Sequence, residues 1–297
     1  MVRLKDIAAE ANVSVMTVSN VVNGNLSKVS KEKADEIQAI LRKRNYVQNA
    51  SARSLAKANS NIVAIMLRNI DNENSLSSPH NATLVGIIIQ QVQALGYYAM
   101  VSLVQNKEDI SRNLRTWNVR GAIFLGMFDD EIEQISTRTK TPAVFIDSYS
   151  HVRQICSVGI DDYKGGVMAA NCLLQHGHKQ IAFVSPPDID NGVIHHRLSG
   201  FTDTLLKNGI SADKLHRFVL LSDNDPAAAS DTIDALYSLR HEITAVFATS
   251  DHLAARLIGD LSERGIRIPD ELSVIGYDNM SICTQIYPHL TSIAQDL

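Results

Sequence analysis

Residues 4–24, LKDIAAEANVSVMTVSNVVNG, decide the fold of the N-terminal part of this chain. The first helix has one apolar stripe at i, i+3, i+4 and i+7, formed by Leu4, Ile7, Ala8 and Ala11. Asn12 follows where a tight turn needs a left-handed residue, which Asn tolerates. Ser14 is a suitable N-cap for a second helix, and Asn23 with Gly24 ends it. The segment therefore predicts a helix, a short turn and a second helix.

The second helix has two different faces. Valine and threonine are mediocre helix formers, so packing must hold it, and the inward face consists of Val18, Val21 and Val22. Val15 and Met16 would be exposed, which is unusual for a surface that meets only water. In a major groove they could touch thymine methyls, and Asn20 could bind adenine or a phosphate. The residues that we predict to contact DNA here are Ser14, Val15, Met16, Thr17, Ser19, Asn20 and Asn23.

A third helix completes the head. It begins after Ser30 as N-cap and buries Ile37, Ile40 and Leu41. Two helices joined by a short turn, with Val13 as its apolar plug, form the helix-turn-helix pattern. Residues 1–60 hold ten Lys and Arg against five Asp and Glu, which gives a net charge of +5. The whole chain has a net charge of −4, so the remaining residues carry −9. This charge favours a polyanion as partner of the head, although a solvated surface or a three-helix bundle without a ligand would also fit.

Length and composition limit the remaining classes. A chain of 297 residues suits two domains, and no apolar run is long enough to span a bilayer. The first residues, MVRLKD, lack the pattern of a secretory signal. The three cysteines, Cys156, Cys172 and Cys283, are scattered, which favours reduced thiols. We therefore expect a cytoplasmic protein.

The N-terminal part of the chain resembles the headpiece of the lactose-repressor/galactose-repressor family of bacterial transcription regulators. The resemblance covers residues 4–24 and the later stretch VSKEKADEIQAILRKRNYVQNASARSL. The motifs VS..TVS.VVN, NY..N and ARSL follow in the family's order and spacing. The resemblance implies a helix-turn-helix head (1–46), a hinge helix or linker (47–60) and an effector-binding body (61–297). It also implies a body like a periplasmic binding protein, with two doubly wound α/β lobes, and a homodimer.

The hinge segment, NASARSLAKANSN, could form a helix from Asn49 to about Lys57. One or two turns are too short to be stable alone, so the segment by itself favours a flexible linker. The resemblance implies that two such helices pair on DNA, with Leu55 as a wedge in the minor groove. The hinge residues that we predict to contact DNA are Asn49, Ala52, Arg53, Leu55 and Lys57.

The rest of the chain alternates strands with helices. Near-continuous apolar strands separated by helices indicate parallel sheets covered on both faces. The eight strand candidates are 61–67, 97–103, 121–126, 143–147, 181–185, 217–221, 245–249 and 272–277. The helical segments include 81–95, 163–176, 227–239 and 252–264. Eight strands suit two doubly wound lobes.

Polar residues stand at the ends of these strands, where ligands bind in open α/β lobes. Asp147, Ser250 and Asp278 follow strands, and Arg197 heads the helix after another. The resemblance makes Arg197 and Asp278 the first effector contacts, whereas each could instead be a helix cap or an interlobe ion pair. We expect Asp251 to be a helix cap and Ser250 to face the pocket.

His80 belongs to the long polar loop after the first strand, where it either reaches the pocket or is solvated. The predicted effector set is His80, Asp147, Arg197, Ser250 and Asp278. The expected effector is a sugar or a related polyol or nucleoside.

Enzyme motifs are missing from the sequence. It contains no GxGxxG, P-loop or GxSxG, and the histidine pairs 176/178 and 195/196 have no carboxylate or Cys cluster beside them. We therefore predict no catalytic residue, metal or cofactor. The expected function is a ligand-responsive repressor that binds a near-palindromic operator as a dimer, with its effector between the lobes. The alternative is a transport-type sugar-binding protein, which would need a signal peptide and no helix-turn-helix head. The resemblance also implies another helix and strand after LTSIAQDL, so we expect the C-terminal end of the body to be missing.

Overall fold

The computed structural model describes residues 2–47, 60–69, 75–127, 129–150, 155–187, 190, 192–222 and 226–297. The chain divides into two compact units, Met1–Ser60 and Asn61–Leu297. The predicted hinge contacts at Asn49, Ala52, Arg53, Leu55 and Lys57 lie outside the described residues. The bounds of head, hinge and body therefore stay a prediction.

The first unit is a bundle of three helices, α1 (Leu4–Glu10), α2 (Val15–Val22) and α3 (Lys31–Lys43). Asn12 adopts the left-handed conformation, with φ of +49°. The Ser14 and Ser30 side chains accept hydrogen bonds from the N–H groups of Thr17 and Lys33, as the N-cap assignments predict. The core of the bundle has three side chains with no exposed surface, Ile7, Val18 and Ile37. The burial of Val18 and Val21 in this core explains why α2 forms although valine and threonine are mediocre helix formers.

The second unit contains two five-stranded sheets, and every strand pair in them is parallel. The first lobe is built on β1 (Ile62–Arg68), β2 (Tyr98–Val104), β3 (Gly121–Leu125), β4 (Ala143–Ile146) and β5 (Cys156–Val158), in the order β2-β1-β3-β4-β5. The second lobe is built on β6 (Ile181–Ser185), β7 (Val219–Leu221), β8 (Ala245–Ala248), β9 (Ser273–Asp278) and β10 (Thr291–Ala294), in the order β10-β9-β8-β6-β7.

Helices alternate with these strands along the chain, as the sequence predicts. They are α4 (Pro79–Ala94), α5 (Lys107–Thr116), α6 (Asp129–Arg138), α7 (Asp162–Gln175), α8 (Gly192–Lys207), α9 (Ala212–Arg217), α10 (Pro226–Ser238) and α11 (Asp251–Glu263). No helix in the described ranges combines the length and apolar character that crossing a bilayer requires.

The predicted number of eight strands is wrong, because the described residues form ten. The two missed strands, β5 and β10, are three and four residues long. β5 is exposed throughout and β10 has one buried residue, so neither shows the apolar run of a central strand. The candidate at 217–221 also begins too early, since Arg217 still belongs to α9.

Helices α7 and α8 approach each other very closely beside the second sheet. A Cβ atom at Gly200 would lie 1.9 Å from the backbone oxygen of Tyr163, and one at Gly166 would lie 2.0 Å from that of Arg197. Real Cβ atoms do not come this near to a backbone oxygen. The absence of a side chain at these two positions therefore fixes α8 against the start of α7, which places Arg197 beside Asp162.

Candidate DNA-binding and effector sites

Helix α2 presents the two faces that the sequence predicts. Val18 and Val21 are buried in the bundle, whereas Val15 is 47% exposed and Met16 is 70% exposed. Val22 is half-buried against the same core. Two neighbouring apolar side chains on the first turn of a helix thus face outward, where a DNA base edge could meet them.

The polar residues of this face are held by bonds within α2. Ser14 Oγ lies 3.1 Å from the Thr17 nitrogen and 2.9 Å from Thr17 Oγ1. Asn23 Nδ2 donates to the backbone oxygen of Ser19 at 2.8 Å and to its hydroxyl at 3.2 Å. Asn20 is half-buried. These bonds fix the side-chain positions along α2, and contact of these residues with DNA stays a prediction.

An ion-pair cluster joins α1 to the end of α3. Glu10 accepts from Arg44 at 2.7 Å and from Lys43 at 3.3 Å. The hydrogen bond from Arg44 lowers the pKa of Glu10 below its usual value, with Lys43 contributing in the same direction. This cluster is exposed, so it orients the two helices more than it stabilises them.

The candidate effector site consists of residues at the carboxyl ends of strands in both lobes. Asp147 follows β4 in the first lobe, and Asp278 ends β9 in the second. His80, at the second position of α4, lies between them. Its Nε2 is 3.4 Å from Asp147 Oδ2, and its Nδ1 is 3.9 Å from Asp278 Oδ1. The His80 side chain is largely buried beside the two carboxylates and is not solvated, and its contact with an effector stays a prediction.

Asp278 is a buried carboxylate held in an unusual backbone conformation, with φ of +110°. Gln295 Nε2 donates to its Oδ1 at 2.5 Å. Burial raises the pKa of Asp278 to about 6, although the charges of Arg197 and His80 oppose the rise. Asp278 therefore changes its protonation state close to neutral pH.

Arg197 takes part in a buried framework of the second lobe. Its Nε donates to Asp162 Oδ1 at 2.7 Å, and its Nη1 donates to the backbone oxygen of Thr249 at 2.8 Å. The guanidinium carbon lies 3.6 Å from the ring centre of Tyr277. The hydroxyl of Tyr149 donates to Asp162 Oδ2 at 2.8 Å. Arg197 therefore forms an ion pair within the second lobe, with Asp162 of α7, and not the interlobe pair that the sequence analysis considered. Its contact with an effector stays a prediction.

The predicted capping role of Asp251 is wrong, because Ser250 is the cap, and effector contact of Ser250 stays a prediction. Ser250 is the N-cap of α11, where its Oγ accepts from the Leu253 nitrogen at 3.3 Å. Asp251 has no exposed surface, and it accepts from the Met280 nitrogen at 2.6 Å and the Ser292 hydroxyl at 2.5 Å. The residue that precedes a helix has the geometry of a cap, so Ser250 takes that role and Asp251 points into the lobe.

Several buried polar atoms near the strand ends have no hydrogen-bond partner among the residues that the structure describes. They include Asn69 Oδ1, His80 Nδ1 and Thr249 Oγ1. Asn69 follows β1 and Thr249 follows β8, so both lobes contribute to this set. Buried polar groups in native proteins nearly always have a partner, which can be a water or a ligand. A polyhydroxyl molecule would supply the donors and acceptors that these atoms lack.

A small cavity adjoins this site. Its volume is about 290 Å³, and its lining includes Asp147, Asp162 and the hydroxyl-bearing residues Ser148, Tyr149 and Ser157. No group of three His, Cys, Asp or Glu suited to a metal ion occurs within the described part of the chain.

The sequence did not single out Asn69, Asp162, Thr249, Tyr277 or Gln295 as members of this site. Asn69 and Thr249 carried a usable signal, because each directly follows a strand. Asp162 and Tyr277 carried none, since their bonds join residues 35 and 115 positions apart in the chain.

Comparisons with known proteins agree with this architecture. Residues 3–49 match the family model of bacterial regulatory proteins of the lacI family, and residues 170–297 match that of the periplasmic binding protein-like domain. Catabolite control protein A of Priestia megaterium is 27% identical over 303 residues, covering 100% of this chain and 88% of that protein. The HTH-type transcriptional repressor CytR of Escherichia coli K12 is 26% identical over 299 residues, covering 98% and 84%.

A crystal structure of the lac repressor dimer, bound to operator and the anti-inducer ONPF, has a TM-score of 0.84 to this chain. The two are 27% identical, and the match covers 99% of this chain and 88% of the repressor chain. The chain therefore combines a head that matches the model of the lacI family of bacterial regulatory proteins with a body that matches the periplasmic binding protein-like domain.

Proposed function

We propose that this chain is a ligand-responsive DNA-binding regulator of transcription that acts as a repressor. The observation that carries the proposal is the pair Val15 and Met16, which α2 exposes although both are apolar. A helix-turn-helix whose second helix presents such a face is built to enter a major groove. The relatives, a transcriptional repressor and a catabolite control protein, support the same role.

The regulator binds a near-palindromic operator as a homodimer, with residues 1–46 as head, 47–60 as hinge and 61–297 as body. The hinge residues Asn49, Ala52, Arg53, Leu55 and Lys57 contact the DNA between the two heads. The similar lac repressor was solved as a dimer on its operator, which supports this assembly. The edge strand β2 also exposes three large side chains, Tyr98, Val101 and Leu103. An apolar edge of this kind suits burial against a second copy.

The effector is a sugar or a related polyol or nucleoside that binds between the lobes. Asp147, Asp278 and His80 converge there, and the unpartnered atoms of Asn69 and Thr249 are available to hydroxyl groups. Arg197 remains in the proposed set, because a guanidinium has five N–H donors and its bonds to Asp162 and Thr249 use two. Ser250 also remains in the proposed effector set. Its oxygen accepts the capping hydrogen bond, and its hydroxyl proton can still be donated to a ligand.

The proposal includes a cytoplasmic location and no enzymatic activity. The relatives are regulators of transcription, and such a protein must meet DNA in the cytoplasm of a bacterium. A transport-type sugar-binding role is the alternative, and the helix-turn-helix unit speaks against it.

Footprinting of the purified full chain on DNA that flanks its own gene tests the proposal. We expect protection of a near-palindromic site at low salt and weaker protection as salt rises. The variant Met16→Ala should weaken protection, whereas Leu206→Ala, which removes an exposed apolar side chain from the body, should not. No protection at any salt concentration below the physiological one would overturn the proposal.

A further inference from the structure

His80 stands between two carboxylates that belong to different lobes. Asp147, 3.4 Å from its Nε2, is part of the first lobe, as is α4 itself. Asp278, 3.9 Å from its Nδ1, is part of the second lobe. The Nδ1 atom is buried and has no hydrogen-bond partner among the described residues. A small movement of the lobes toward each other would therefore bring Nδ1 within hydrogen-bond distance of Asp278.

The protonation state of His80 decides whether both contacts can be favourable. A neutral imidazole has one N–H donor and one bare nitrogen, so one of its nitrogens would face a carboxylate without a proton. Only the imidazolium form donates from both nitrogens. Each of its bonds would then be charge-assisted, which makes it stronger than a bond between neutral groups.

We propose that His80 is a proton-dependent clasp between the lobes: its imidazolium bridges Asp147 in the first lobe and Asp278 in the second, and loss of the proton releases them. The clasp acts on lobe closure in the absence of any effector. Its effect on operator binding rests on the function proposed above.

The charged groups around the clasp favour protonation of His80. Burial lowers its pKa, but the hydrogen bond to Asp147 and the negative charges of Asp278 and Asp147 outweigh burial and the opposing charge of Arg197. The pKa of His80 is therefore raised above its ordinary value of 6.5. Asp278 in turn faces His80 and Arg197, with Asp251 and Gln295 beside it, and its pKa is about 6.

These directions define the pH range of the clasp. Asp278 gains its charge as the pH rises through about 6, and His80 keeps its proton until the pH exceeds its own raised pKa. The bridge between opposite charges is complete between those two values. Above that range the imidazole becomes neutral and the lobes lose this contact.

The chain contains a matched control for His80. His252 also occupies the second position of a helix, α11 in the second lobe, but its side chain is exposed. Replacing His252 with glutamine removes an exposed imidazole and leaves both carboxylates of the clasp unchanged.

The first experiment measures the pKa of His80 by NMR of the full chain with labelled histidines. An opposite charge within about 4–6 Å shifts a pKa by about 1 or more, so Asp278→Asn and Asp147→Asn should each lower that of His80 by about 1. The effect of Asp278→Asn is decisive, because it reports contact between the lobes. If only Asp147→Asn lowers the pKa of His80, the lobes are not clasped and the proposal is wrong.

The second experiment follows compactness by small-angle X-ray scattering between pH 6 and pH 9.5 without ligand. The unmodified chain and His252→Gln should expand as the pH rises, and His80→Gln should show no such expansion. Expansion of His80→Gln equal to that of the unmodified chain would overturn the clasp. Neither readout uses DNA, so failure to bind an operator would count against the proposed function alone.

Discussion

Replacing Arg197 with methionine tests whether this side chain stabilises the second lobe through its ion pair with Asp162 or serves only to contact a ligand. Arg197 and Asp162 form an ion pair at 2.7 Å, with 6% and 1% of their surfaces exposed. Breaking a buried pair by removing one partner costs about 3–5 kcal/mol, because the remaining charge is uncompensated. The hydroxyls of Tyr149 and Tyr277 still reach Asp162, at 2.8 and 3.3 Å, so we expect the lower end of that range. A loss of about 3 kcal/mol lowers the Tm of a body of this size by about 6–12 °C.

Urea unfolding followed by circular dichroism measures this loss in the full chain. The double variant with Asp162→Asn is the control, since it removes the uncompensated charge along with the guanidinium. We expect the double variant to lose less free energy of unfolding than the two single variants added together. Arg197→Met with an unchanged free energy of unfolding would show that the side chain serves ligand contact alone and refute this reasoning.

Three further predictions address the head, the helix packing and the effect of pH. Met16→Ala should change the preferred operator bases in a binding selection, because we propose that its side chain contacts bases and not phosphates; unchanged preference would mean that another face contacts the bases. Gly200→Ala should prevent folding of the body or lower its Tm strongly, since the new Cβ would lie 1.9 Å from the Tyr163 oxygen. Gly259→Ala, with no atom within 4 Å of its Cβ, should instead stabilise α11 by about 0.5–1 kcal/mol, and equal melting curves for the two variants would contradict the packing argument. The pKa of Asp278 is raised from 3.8 to about 6, so its contribution to stability is complete below pH 4 and lost as the pH rises through about 6. Asp278→Asn should therefore flatten the pH dependence of the free energy of unfolding in that range, and an unaltered slope would show that Asp278 is not buried as described.

The sequence predicts the head more completely than the body because the signals of the head are local. The caps at Ser14 and Ser30 and the left-handed Asn12 act within four residues, and each apolar stripe lies within one helix. In the body the alternation of strands and helices predicts two parallel sheets. It cannot reveal β5 and β10, since pairing with a neighbouring strand defines them more than their own composition does.

The candidate site shows the same division between local and distant signals. Polar residues after strands indicate the edge at which Asp147 and Asp278 lie, and His80 of α4 stands between these two carboxylates. The sequence cannot show that Arg197 is already paired with Asp162, because that contact depends on the close approach of α7 and α8. The wrong prediction of Asp251 as the cap has a different origin, since Ser and Asp are both good caps and only backbone position shows that Ser250 is the cap.

The polar residues of the second lobe then fall into two groups with different consequences. Arg197 with Asp162, and Asp251 with Ser292, hold the strand ends through bonds inside that lobe. Asp162 also accepts a hydrogen bond from Tyr149, which follows β4 of the first lobe. Asp278 differs because its neighbour in the other lobe, His80, lies too far away for a hydrogen bond. The bonds of the first group hold the ends of the strands in place. The contact between Asp278 and His80 has a strength that depends on how closely the two lobes approach each other. If the proposed clasp operates, a ligand or a proton that acts on Asp278 shifts the lobes without breaking the bonds of the first group.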